Sequence, residues 1–127
     1  MDDTRTQTRK RAERRGRFSE SVAALMLMAK GYRILGRRVR NHAGELDLIA
    51  RTPSGIVCFV EVKARKEREA AAYALGPKQQ GRIARAAALY MAQRPKLGAA
   101  RMRFDVITVT PLRLPRHVRD AWRPSAP

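Results

Sequence analysis

Residues 44–50, GELDLIA, and residues 59–65, FVEVKAR, stand one short turn apart, and each sets acidic groups into an apolar, β-branched run. Side chains alternate along a strand, so each stretch sorts its residues onto two faces. In the first, Glu45, Asp47 and Ile49 share a face and Leu46 and Leu48 share the other. In the second, Glu61 and Lys63 share a face with Phe59, while Val60 and Val62 point away. The intervening TPSG, residues 52–55, is a turn, so the two strands pair antiparallel and their polar positions meet on one face. This pairing fixes the rest of the chain around it.

Working outward, YRILGRRVR (32–40) reads as a strand with Gly36 as a bulge, and NHAG (41–44) as the turn into GELDLIA. The three strands form an antiparallel meander. Before them, Phe18, Val22, Leu25, Met26 and Ala29 recur at helical spacing, and Lys30-Gly31 closes a helix over 18–30. After them, residues 66–77 read as a mobile loop. Lys78 to Gln93 is a helix with Ile83, Ala87, Tyr90 and Met91 on one face, ended by Pro95. MRFDVITV (102–109) is a fourth strand, and a helical connection of that length implies parallel pairing with the third through a right-handed crossover. The expected architecture is α/β: an α-β-β-β-α-β core with a mixed four-stranded sheet flanked by helices. Residues 1–17, with seven basic groups and no apolar period, read as a disordered basic arm. Residues 18–111 are the domain, and 112–127 a basic, Pro-containing tail with Val118 and Trp122 as docking points.

Charge narrows the partner. The chain of 127 residues carries 28 Lys and Arg against 11 Asp and Glu, a formal +17. A polyanion follows, nucleic acid before an anionic membrane surface. That 22 of the 28 are Arg is compatible with genome composition, but such a bias does not explain the excess of base over acid. No run reaches the roughly 18 apolar residues of a membrane span. VAALMLMA (22–29) follows Asp2, Asp3, Glu13 and Glu20, and reads as mature sequence rather than a signal core. The lone Cys58 excludes an internal disulfide, fits a reduced cytoplasm, and reads as a buried inert thiol.

Seven acids fall within residues 18–111, and four of them lie in strands: Glu45, Asp47, Glu61 and Asp105. Carboxylates gathered in an apolar surround repel and lose hydration, and a divalent cation relieves both costs. Lys63, two residues beyond Glu61, fits beside such a cation, where it steadies a hydroxide and the charge that develops on phosphorus. Mg²⁺, or Mn²⁺, suits oxygen ligands; zinc does not, with one Cys and two distant histidines. Solvated salt bridges on an open sheet face are the competing reading, and for Glu45, with Arg38 or Arg40 alongside, the preferred one. Asp105 reads as structural, paired with Arg101 or Arg103. His42 reads as an exposed turn residue rather than a proton donor, and Tyr32 and Trp122 as core residues rather than base-stacking platforms.

The pattern D-x(13)-E-x-K on consecutive strands resembles the signature of the restriction-endonuclease-like superfamily, whose core has the same α-β-β-β-α-β order and includes Holliday junction resolvases. ESVAALMLMAKGY, GELDLIAR, FVEVKAR, KQQGRI and RFDVITV together resemble the YraN-like family of small bacterial proteins over about residues 16–122. That resemblance implies a metal-dependent endonuclease acting on DNA, including branched or junction structures. It implies Asp47 and Glu61 as metal ligands, Lys63 as the catalytic lysine, and Glu20 as a helix glutamate assisting the metal. Lys78 and Gln79 match the polar start of the second long helix, and with Arg38 and Arg65 they are the candidate nucleic-acid contacts. A bacterial cytoplasmic location is expected. Junction-cutting enzymes act as dimers, so a homodimer is compatible, although the sequence marks no obvious dimer face. A nucleic-acid-binding protein that keeps the fold without catalysis, and a basic RNA-associated protein, are the alternatives.

Overall fold

The computed structural model describes the backbone of residues 3–66 and 75–124, with side chains from residue 16 onward. Helix α1 (Asp3–Ala29) is followed by strands β1 (Arg33–Asn41), β2 (Gly44–Arg51) and β3 (Val57–Ala64). Helix α2 (Pro77–Ala92), a short 3₁₀ turn (Pro95–Leu97), β4 (Met102–Val109) and β5 (Arg116–Trp122) complete the chain. The strands lie in sequence order in one five-stranded sheet. β3 and β4 are parallel, and the other neighbours antiparallel. The expected α-β-β-β-α-β order is therefore present. The loop read over 66–77 falls largely outside the described residues.

The hairpins form where the turn chemistry demands. Asn41 Oδ1 accepts the backbone N–H groups of Ala43 and Gly44 at 3.0 and 3.3 Å, and its Nδ2 donates to the Ala86 carbonyl of α2 at 3.0 Å. One asparagine thus shapes the β1–β2 turn and ties it to a helix. Between β2 and β3, Gly55 takes φ +97°, and Thr52 Oγ1 accepts the Ile56 N–H at 3.0 Å. The expected bulge is found in β1, where the register with β2 shifts between Ile34 and Gly36.

Two apolar layers sandwich the sheet. Ile49, Val57, Phe59, Phe104 and Val106 pack against Ile83, Ala86, Ala87 and Tyr90 of α2. Leu48, Ala50, Cys58, Val60 and Ile107 pack against Ala23, Ala24 and Leu27 of α1. Cys58 is wholly enclosed, and its thiol is pushed up to about 12, first by burial and then by the charge of Asp105. Tyr32 is buried, and Trp122 lies 4.3 Å from the Phe104 ring, so both serve in packing. No helix among the described residues is long and apolar enough to cross a membrane.

Three expectations need correction. The sheet has a fifth strand, because residues 116–122 of the tail pair with β4 and cover what would otherwise be an exposed edge. The arm expected to be disordered is helical from Asp3, continuous with α1, as its Arg, Ala, Gln, Glu and Lys content allows. Finally, α1 does not bury the face its large apolar residues suggest. Phe18 and Leu25 remain 68% and 64% exposed, whereas Glu20, Ala23, Ala24 and Leu27 are buried. Positions 20, 23, 24 and 27 follow the helical stripe i, i+3, i+4, i+7, and the two alanines let the helix lie close to the sheet. That rotation turns Glu20 inward.

Candidate active site

The site forms where β2 and β3 part. Their antiparallel register runs from Arg51↔Val57 to Leu48↔Val60 and goes no further. Continued by one step it would set Asp47 opposite Glu61. Instead Asp47 Oδ2 accepts the Val62 N–H at 2.9 Å, so a side chain takes the place of a strand carbonyl at the fork. Beside it, Glu61 Oε1 receives Gln79 Nε2 at 3.0 Å from the first turn of α2 and Lys63 Nζ at 3.5 Å from its own strand. Asp47 and Glu61 lie close enough at the fork for each carboxyl to feel the other. The side chains of Glu61 and Lys63 are 12% and 17% exposed, a recessed pair rather than a solvated surface bridge. The reading of these acids as open-face salt bridges therefore holds for Glu45, which meets Arg40 at 2.8 Å, and fails for Glu61.

Electrostatics follow from that recess. Burial raises Glu61, the Asp47 charge raises it further, and Lys63 opposes both, leaving it at about 7. Asp47 is raised as well, chiefly by burial, against the stabilising N–H of Val62. Two carboxyls recessed side by side cannot both ionise cheaply, and Glu61 is the one that keeps its proton toward neutrality.

Glu20 approaches from α1, and its charge is felt at Asp47. Its Oε1 is held by Arg38 Nε at 2.7 Å. Arg38 takes a left-handed backbone (φ +49°) just past the bulge, and its neighbour Arg37 donates to Ser21 Oγ at 2.9 Å. Consecutive arginines thus clamp β1 to α1. Arg38, expected at nucleic acid, is engaged with the expected metal-assisting glutamate. Lys78 is exposed at the start of α2; Arg65 is exposed beyond β3, with Nη1 on the Ala64 carbonyl at 2.9 Å. His42 is an exposed turn residue.

Asp47 and Glu61 form a pair of adjacent hard oxygen donors whose mutual repulsion a cation would relieve, and this fits Mg²⁺ or Mn²⁺ with several waters retained. Among the described residues, no three His, Cys, Asp or Glu side chains gather as a metal cluster, and Glu20 is paired with Arg38. Gln79, expected at nucleic acid, bonds Glu61 instead. Thr108, the register neighbour of Lys63, has a buried Oγ1 with no hydrogen-bond partner among the described residues. A threonine in a β-rich run gives no sequence signal of that kind.

The profile of the uncharacterised protein family UPF0102 matches residues 19–109, which spans every residue of this site. The chain belongs to UPF0102. Its similarity to individual members extends almost end to end. It is 48% identical over 119 residues to a UPF0102 protein of Maricaulis maris, covering 94% of this chain and 93% of that one. A Rhizobium etli UPF0102 protein is 46% identical over 121 residues, with 95% and 98% covered. A Bradyrhizobium member reaches 50% over 111 residues, with 87% and 78% covered. The YraN-like resemblance carried by the sequence motifs is thereby borne out.

Proposed function

We propose that this UPF0102 protein is a metal-dependent endonuclease acting on DNA, branched structures included, in the bacterial cytoplasm. The observation that supports this reading best is the convergence of Asp47, Glu61, Lys63 and Gln79 at the fork between β2 and β3. Asp47 and Glu61 would hold Mg²⁺ or Mn²⁺, which when bound would neutralise phosphate charge and acidify a water. Gln79 orients the Glu61 carboxyl by its 3.0 Å hydrogen bond. Lys63, recessed beside Glu61, presents a cation to the charge that builds on a phosphate in attack. The formal charge of +17 would draw in the polyanion. The test is a cleavage screen with purified protein on duplex, flapped, single-stranded and four-way DNA, with Mg²⁺ or Mn²⁺. Cleavage that Asp47→Asn and Lys63→Ala both remove supports the reading.

One observation favours a second reading, a binding protein that keeps the fold without cleavage. The Glu20–Arg38 ion pair withholds the third carboxylate from the site. Tight DNA binding with no cleavage on any substrate and either cation would select it.

A further inference from the structure

On the opposite face of the sheet a second polar cluster is built around Asp105, which is fully buried. Its carboxylate accepts Arg103 Nε and Nη2, each at 2.8 Å, the Asp120 N–H at 3.0 Å, and His117 Nε2 at 2.8 Å. Burial alone would raise this carboxyl, but the hydrogen bonds from His117 and Arg103 and the Asp120 N–H outweigh it and hold it below the usual range. An ionised carboxylate only accepts, so His117 Nε2 carries the hydrogen. The His117 side chain is 1% exposed and its ring is edge-on to Tyr32, so it has little freedom to turn. Its Nδ1 is left as a lone pair, aimed at Lys30 Nζ 2.9 Å away. Lys30 itself sits at the surface, just past α1. The series Lys30–His117–Asp105 has the order of an activated nucleophile, its base, and the acid that orients the base.

We propose that Lys30 is an acylation site, an amine that takes an acyl group from a small acyl phosphate with His117 as its base. Transfer of one ammonium proton to His117 Nδ1 gives Nζ a lone pair. Nζ attacks the acyl carbon, a C–N bond forms, and the C–O bond to phosphate breaks. The second nitrogen proton leaves on the phosphate, and His117 returns its proton to water, so the products are an amide and inorganic phosphate. The surroundings favour this. Partial burial and the charge of Arg119 on β5, followed by Arg103 on β4, lower the Lys30 ammonium against the attraction of Asp105. Arg119 is exposed and offers the phosphate a cation beside the amine. The chain has six lysines, and Lys63, the one in the proposed active site, faces a carboxylate rather than a base.

The experiment incubates the full chain with acetyl phosphate and follows each lysine by peptide mass spectrometry. Exposed Lys96 serves as the internal reference. At pH 7 Lys30 should acetylate at least about tenfold faster than Lys96, less than the ~10² a fully positioned base contributes because Nζ is open to solvent. The ratio should shrink toward one by pH 10, where ordinary lysines also lose their proton. His117→Gln, which can still donate to Asp105, should bring Lys30 down to the Lys96 rate while circular dichroism reports a folded chain. Equal rates for Lys30 and Lys96 across the pH series in the unaltered chain would overturn the proposal, whether or not the variant folds. An unchanged Lys30 rate in a folded His117→Gln protein would overturn it too.

Discussion

Glu61 carries the largest consequence of any single residue at the candidate site. In the unfolded chain it loses its proton near the ordinary 4.5; in the folded chain it keeps it to about 7. The folded state therefore binds more protons between those values, and stability falls as pH rises from 4.5 to 7. Glu61→Gln removes that loss. Without divalent cation it should be more stable than the parent at pH 8, by about 3 kcal/mol, and no more stable at pH 4. Urea unfolding at the two pH values checks this, and an equal gain at both would show that Glu61 ionises freely in the fold. Divalent cation binding displaces the Glu61 proton, so its affinity should rise with pH through about 7. Lys63 tests the chemistry. Lys63→Ala should leave DNA affinity in Ca²⁺ nearly intact, since it is one of 28 basic groups, and should slow single-turnover cleavage by ~10²–10³. Asp47 serves twice, as a carboxylate and as the acceptor for the Val62 N–H. Asp47→Asn keeps an acceptor there, whereas Asp47→Ala orphans a buried donor and should cost about 1–3 kcal/mol more in thermal or urea unfolding.

At the scale of elements, what the sequence made legible was whatever depended on period and turn chemistry. FVEVKAR alternates as expected, whereas Leu46 packs in the layer of Ile49 and not, as alternation implies, in that of Leu48; TPSG and NHAG are turns, and the meeting of Asp47 and Glu61 beside one another follows from those alone. On α1 the spacing of large apolar residues points to one face and the packing uses another. Phe18 and Leu25 are the larger residues, yet Ala23 and Ala24 are what a closely packed helix can afford sterically. The stripe through Glu20 has the right spacing, but a charged member masks it as a buried face. β5 is hidden by its proline- and arginine-rich context, which gives no clean alternation although the strand pairs with its immediate neighbour β4. The Glu20–Arg38 pair depends on a left-handed Arg38 that no pattern announces. The bulge gives an element-scale prediction. A Cβ at Gly36 would lie 2.7 Å from Val39 Cγ2, and a β-branched side chain in a strand yields little. Gly36→Ala should therefore cost about 1–3 kcal/mol in chemical unfolding, and it should weaken the clamp of β1 on α1.

For the molecule as a whole, the charge is distributed unevenly enough to be tested by salt. Residues 1–16 hold six basic groups, and from Asp3 their backbone forms the start of α1. Deleting them should flatten the slope of log affinity for DNA against log salt by up to about five, and leave cleavage by a saturated enzyme unchanged. An unchanged slope would mean that the extension makes no phosphate contact. The enclosed thiol on β3 offers a different kind of handle. Cys58 shares a strand with Glu61 and Lys63, is the sole cysteine, and is both shielded and protonated at pH 8. An alkylating reagent can reach it only during excursions in which β3 is released, so the labelling half-life is a clock on the opening of that strand. Any ligand that binds the closed form at a hundred times its dissociation constant should slow the clock by about a hundredfold. Occupancy of the fork by a cation or a nucleic acid would then be read without a single bond being cut.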